Sequence, residues 1–198
     1  MIPVLFAHRK SIYKSFAHAD CWDMERNALL WPGGSPCVAH PPCRAWGQLR
    51  QFAKPRLGEK ELAIWAIDQI NKYGGVLEHP SGSSLWPHLS LPRPDDHSLA
   101  YRGFFNKVPR WTLAVEQSWW GHKASKATWL YIIGCAPHEI PALPAQEDRP
   151  APTHVIDSSH AFKKLAAGSI KHLPKSQREH TPIAFAAWLL ELAKRCKV

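Results

Sequence analysis

The stretch from Cys37 to Glu78 constrains this chain more than any other. Ala63, Ile67 and Ile70 recur at helical spacing along Glu59–Tyr73, and Gly74-Gly75 ends the pattern. Cys37-Val38-Ala39 before that helix and Val76-Leu77-Glu78 after it are short apolar runs of the kind that form buried strands. Strand, helix and strand at this spacing make a βαβ unit, which requires parallel strands with a crossover between them. The expected class is therefore α/β.

The remaining segments extend that frame. Ile2–Phe6 reads as a first strand, followed by a polar turn at His8–Lys10, and Trp31–Pro36 is turn chemistry. The segment 79–110 is rich in Pro, Ser, Asp and Gly and reads as a long excursion. Trp111–Val115 and Trp129–Ile133 are two further strands, expected as an antiparallel pair. A proline-rich loop and a basic segment occupy 136–178. Thr181-Pro182 reads as a helix N-cap followed by proline at the first helical position. Phe185, Leu189, Leu192 and Cys196 then form one apolar stripe of a closing helix. No internal repeat is visible, and one domain over 1–198 is expected at this length.

Apolar residues at 45% and charged residues at 21% give a globular composition rather than a disordered one. The longest apolar runs are too short to span a bilayer, and the N-terminus has no secretion-signal pattern, so a cytoplasmic location without membrane contact is expected. The formal charge of +9, with twelve histidines besides, favours a polyanionic partner, and DNA is the expected one. Ten tryptophans add aromatic surface that can stack on bases. Five cysteines at scattered spacing point to reduced thiols rather than a disulfide framework. Cys37, His40 and Cys43 lack the second close pair that would complete a tetrahedral metal set, so no metal is expected.

Ligands of open parallel sheets bind outside the carboxyl ends of the strands. Two such ends carry reactive groups here. One strand runs into His40-Pro41-Pro42-Cys43-Arg44, the other into Glu78-His79-Pro80. A thiol and a carboxyl entering one crevice can act as nucleophile and proton-transfer group. A buried cysteine packing as a small hydrophobe, and an N-cap or surface acid, are the alternatives for these two residues.

Pro41-Pro42-Cys43 after a strand resembles the Pro-Cys loop of the DNA cytosine-5 methyltransferases. Val76-Leu77-Glu78-His79-Pro80 is similar to that family's Glu-Asn-Val element. Gln117–Gly134 resembles a later segment that opens on Gln and ends in a basic, hydrophobic strand. Thr181-Pro182 with the helix behind it resembles the C-terminal helix that closes over the cofactor. The four elements occur in the family's order. The resemblance implies a Rossmann-like methyltransferase fold with a mostly parallel sheet. It implies that Cys43 adds to C6 of a cytosine, and that Glu78 bonds N3 and supplies a proton. Lys126 would steady the thiolate, a phosphate or the ring carbonyl. Arg44 beside Cys43 is expected to lower its pKa. The target base must leave the duplex, so Trp46, Trp119 and Trp120 are candidates for stacking or filling the gap, with Arg44, His122 and Lys123 beside them on the nucleic acid.

The implied cofactor is S-adenosylmethionine, with Asp20, Asp23 and Thr181 as its candidate contacts. Val4–Phe16 has no glycine, however, where the family has a glycine-rich turn. This stretch looks instead like the family's second strand, which would make the fold truncated at the N-terminus. Weak cofactor binding follows as an expectation. Little of the chain is left for a target-recognition domain, and such short forms resemble proteins encoded by phages and prophages. Two readings stand: an enzyme acting on a pyrimidine in DNA, or an inactive methyltransferase-fold protein that binds DNA or a protein partner. A third, lesser resemblance is that of His79-Pro80-Ser81 to a loop of uracil-DNA glycosylases.

Overall fold

The computed structural model describes residues 1–94, 104–105, 108–156 and 171–198. Its strands are β1 (Ile2–Leu5), β2 (Ala19–Trp22), β3 (Cys37–Ala39), β4 (Gly75–Pro80), β5 (Phe104–Phe105), β6 (Val108–Glu116) and β7 (Ala127–Ile133). The main sheet runs β2-β1-β3-β4-β7-β6, with the two-residue β5 on its far edge. β2, β1, β3 and β4 are mutually parallel, whereas β7 is antiparallel to both β4 and β6. The fold is α/β with a mixed sheet. Two short strands, β8 (His154–Val155) and β9 (Lys171–His172), pair apart from it.

Period-two alternation sends neighbouring residues of each strand to opposite faces. Val4, Val38, Val76, Leu130 and Ile132 face one core, with the C-terminal helix packed on it. Leu5, Ala39, Leu77, Tyr131 and Ile133 face the other, beneath the helix that links β3 to β4. That linking helix is α1 (Glu59–Tyr73), and it buries Ala63, Ile67 and Ile70, the stripe read from the sequence, together with Ala66. Burying each isoleucine contributes roughly 1.5–3 kcal/mol. Single-turn helices α2 (Leu85–His88) and α3 (Lys175–Arg178) precede the C-terminal α4 (Ile183–Arg195).

β1 pairs with β2 on one side and β3 on the other, so strand order reverses at β1. One expectation is corrected. At α4 the cap position belongs to Pro182, and no side chain caps the helix. The Ala186 N–H reaches the Pro182 carbonyl at 2.9 Å, so Thr181 lies outside the helix. Part of the expected excursion over 79–110, and residues 163–170 of the basic segment, lie outside the described residues. No described helix is long and apolar enough to cross a membrane.

Candidate functional site

The site is a consequence of register. Val38 stands opposite Val76 and Ala39 opposite Leu77, so β3 ends opposite Leu77 while β4 runs on through Glu78 to Pro80. One step further, His40 and Glu78 lie side by side, with His40 Nδ1 3.0 Å from Glu78 Oε2. Both follow the parity of Val38 and Val76 and so face the α4 side of the sheet. Pro41-Pro42 have no N–H to continue the ladder, and the chain turns away at Cys43. The Trp46 and Gly47 N–H groups close that turn on the Cys43 carbonyl at 3.0 and 2.8 Å. From the β6–β7 connection, Gln117 Nε2 donates to Glu78 Oε1 at 2.9 Å and to Thr128 Oγ1 at 3.0 Å. Tyr13, in the β1–β2 connection, brings its hydroxyl within 2.9 Å of His40 Nε2.

Burial works against a charge on Glu78, but the His40 hydrogen bond and the nearby charge of Lys126 outweigh it and hold the carboxyl down at about 2. At neutral pH Glu78 is an acceptor with no proton to give. Burial pushes the Cys43 thiol up, the Glu78 charge adds to that, and Lys126 opposes it. Cys43, Glu78 and Lys126 therefore share one electrostatic field, with the thiol protonated at rest. The expectation that Arg44 activates this thiol is corrected. Arg44 turns away and donates from Nε and Nη2 to the two oxygens of Glu59, at the start of α1.

Other candidates serve the fold. Trp46 is 2% exposed and donates from Nε1 to the Lys60 carbonyl, so it offers no face to a base. The Arg149 guanidinium covers Trp119 at 3.9 Å. Trp120 packs on Phe185 and Trp188 at 4.7 and 5.3 Å between ring centres. His122 is buried, with Nδ1 against Ala124. The Lys123 side chain is exposed, while its carbonyl accepts the N–H groups of Thr153 and His154. Trp120, His122, Lys123, His180 and Ile183 line a groove of about 470 Å³.

The carboxylates assigned to S-adenosylmethionine are already engaged within the chain. Asp23 is buried, with one oxygen on Lys14 and the other taking the N–H groups of Glu25 and Arg26. Asp20 is engaged by Arg26 and, at 2.9 Å, by Trp22 Nε1. The backbone at Phe6 is left-handed, with φ 59°, the conformation a glycine would adopt, but here a side chain packed on Trp65 occupies the turn. His79 lies on the sheet face opposite Glu78. Burial drives it down to about 4, and its Nδ1 is 2.9 Å from Ser83 Oγ, which leaves the glycosylase resemblance without a catalytic group in this site. Among the described residues no group of His, Cys, Asp or Glu is arranged to hold a metal.

His40, Gln117 and Tyr13 escaped the reading of single residues. Parallel in-register pairing of Val38-Ala39-His40 with Val76-Leu77-Glu78 was the signal that could have found His40. No family model matches the chain, and no curated protein or solved structure matches it either.

Proposed function

We propose that the protein acts on a pyrimidine base of DNA through covalent addition by Cys43, in the manner of the DNA cytosine-5 methyltransferases it resembles. One observation supports this reading: Glu78 is held by hydrogen bonds on both oxygens near the carboxyl end of β4, close enough to Cys43 and Lys126 for their charges to act on one another. The Cys43 thiol loses its proton to solvent, the thiolate bonds to ring C6, and electron density from the C5–C6 double bond moves onto C5 and N3. A proton taken up at N3 from solvent pairs with the Glu78 carboxylate, while Lys126 steadies the thiolate before attack. S-adenosylmethionine would supply a methyl group to C5, but the engaged state of Asp20 and Asp23 gives no support for that step.

The DNA-facing surface in this reading is the loop behind Cys43. Phe52 is 76% exposed and Leu49 60%, and both stand among the exposed cations Arg50, Lys54 and Arg56. Among the described residues the aromatic side chain offered to solvent is thus Phe52 rather than a tryptophan. Phosphate contacts release counterions, so DNA affinity is expected to fall by about tenfold or more between 50 and 200 mM salt. Fluorescence anisotropy at the two concentrations measures this, and affinity indifferent to salt would count against a DNA partner.

The decisive test needs no methyl donor. Addition at C6 makes C5 exchange its hydrogen, so an oligonucleotide carrying tritium at cytosine C5 is expected to release it with the wild-type chain and not with Cys43→Ala. The engaged carboxylates Asp20 and Asp23 favour a second reading, a binding protein on this fold. Salt-sensitive DNA binding with no tritium release would select it.

A further inference from the structure

The charged edge of Glu78 is the end of a buried chain of hydrogen bonds that its reaction does not by itself require. Tyr13 is 1% exposed and lies in the core beneath α4. Burial, with the charge of Glu78, raises its phenol well above the ordinary value, so its O–H stays a donor. Among the described residues its hydrogen-bond partner is His40 Nε2, 2.9 Å away. An imidazole that accepts at Nε2 carries its proton on Nδ1, and Nδ1 is the atom 3.0 Å from the acceptor Glu78 Oε2. The order Tyr13 O–H to His40 Nε2, then His40 Nδ1–H to Glu78, is therefore the one neutral arrangement in which each group has its partner. The other groups acting on Glu78 are Gln117 at Oε1, Lys126 from the start of β7, and His79 next in the chain.

We propose that His40 is a positioning residue, set in one tautomer by Tyr13, that holds the Glu78 carboxylate in place as the acceptor for the pyrimidine ring. Its role rests on the reading of Cys43 and Glu78 as the pair that adds to a pyrimidine. An incoming base needs a carboxylate whose direction is fixed before it arrives, because a free carboxyl in this buried place would take a proton and turn. His40 touches no reacting atom and acts only through Glu78.

The test uses the full chain and two measurements that do not depend on each other. Imidazole ¹⁵N shifts are expected to show His40 with its proton on Nδ1. Side-chain ¹³C titration is expected to find Glu78 ionised throughout the range above pH 4. In His40→Phe, burial acts on Glu78 with less to oppose it, and its titration should rise into or above the ordinary carboxylate range. His40→Gln restores an amide donor and should bring the titration part of the way back. Tritium exchange from cytosine C5 should fall about a hundredfold in His40→Phe, with its pH profile displaced, and recover in His40→Gln. Cooperative melting of both variants separates this from loss of fold. A Glu78 titration unmoved in folded His40→Phe, or a wild-type His40 bare at Nδ1, overturns the assignment. Absence of exchange in the wild-type chain overturns the pyrimidine reading instead, and the Glu78 titration still decides what His40 does.

Discussion

Glu78→Gln is expected to move two readouts of Cys43 in opposite directions. Alkylation by iodoacetamide, followed at the Cys43 peptide by mass spectrometry, should become severalfold faster at pH 8. The Glu78 charge stands second to burial in holding the thiol above its ordinary value, and glutamine removes that charge while keeping the volume. In the wild type the alkylation rate should keep climbing past the pH at which an exposed thiol levels off, since the thiolate fraction is still growing there. The variant should level off at lower pH. Exchange at cytosine C5 should instead fall by roughly 10²–10⁴-fold, because an amide cannot balance a proton gained at N3. Lys126→Met provides the complement: the charge that favours the thiolate is lost, so both alkylation and exchange should slow. If Glu78→Gln left alkylation unchanged, the two groups would not share a field, and the joint site would have to be given up.

How much of this was legible depended on whether a feature is local. β1, β3, α1, β4, β6, β7 and α4 were each read from apolar runs or periodicity, because each buries a face that its own residues must supply. β2 was missed for the converse reason: Ala19–Trp22 is an edge strand, half-buried along its length, and shows no alternation. The order of the strands in the sheet was not legible, since the identity of a strand's neighbours is not written in the strand. The site divides in the same way. Cys43 and Glu78 could be found because one lies in the turn after β3 and the other near the carboxyl end of β4, whereas Tyr13 and Gln117 arrive from distant connections. Arg44 shows the opposite error. It adjoins Cys43 in sequence, but its guanidinium is committed to Glu59, a buried carboxylate in the first turn of α1. The tryptophans were read by number, and Trp31, Trp46, Trp86, Trp111 and Trp188 went to the core.

Gly75→Ala is expected to be among the most damaging single substitutions in the chain, and the reason joins the fold to the site. Gly75 opens β4 with φ 114°, a region that side chains rarely adopt. A Cβ there would stand 2.0 Å from the Cys37 carbonyl oxygen and 2.5 Å from the Cys37 nitrogen. Both are backbone atoms of the adjacent strand, so no side chain can swing aside. Relief requires β3 and β4 to part at the pair Cys37–Gly75, where the Cys37 N–H also reaches the Gly74 carbonyl at 3.3 Å. That pair sets the register which brings His40 beside Glu78. A loss of about 4 kcal/mol or more is expected, with Tm lower by roughly 8–16 °C for a chain of this size. Gly34→Ala isolates the backbone term. Gly34 has φ 94° and nothing within 4 Å of an added Cβ, so only conformational strain remains, about 1–2 kcal/mol. Urea unfolding of the two variants side by side measures the difference. A Gly75→Ala chain as stable as Gly34→Ala would mean that the strands do not approach so closely, and the register that assembles the site would go with them.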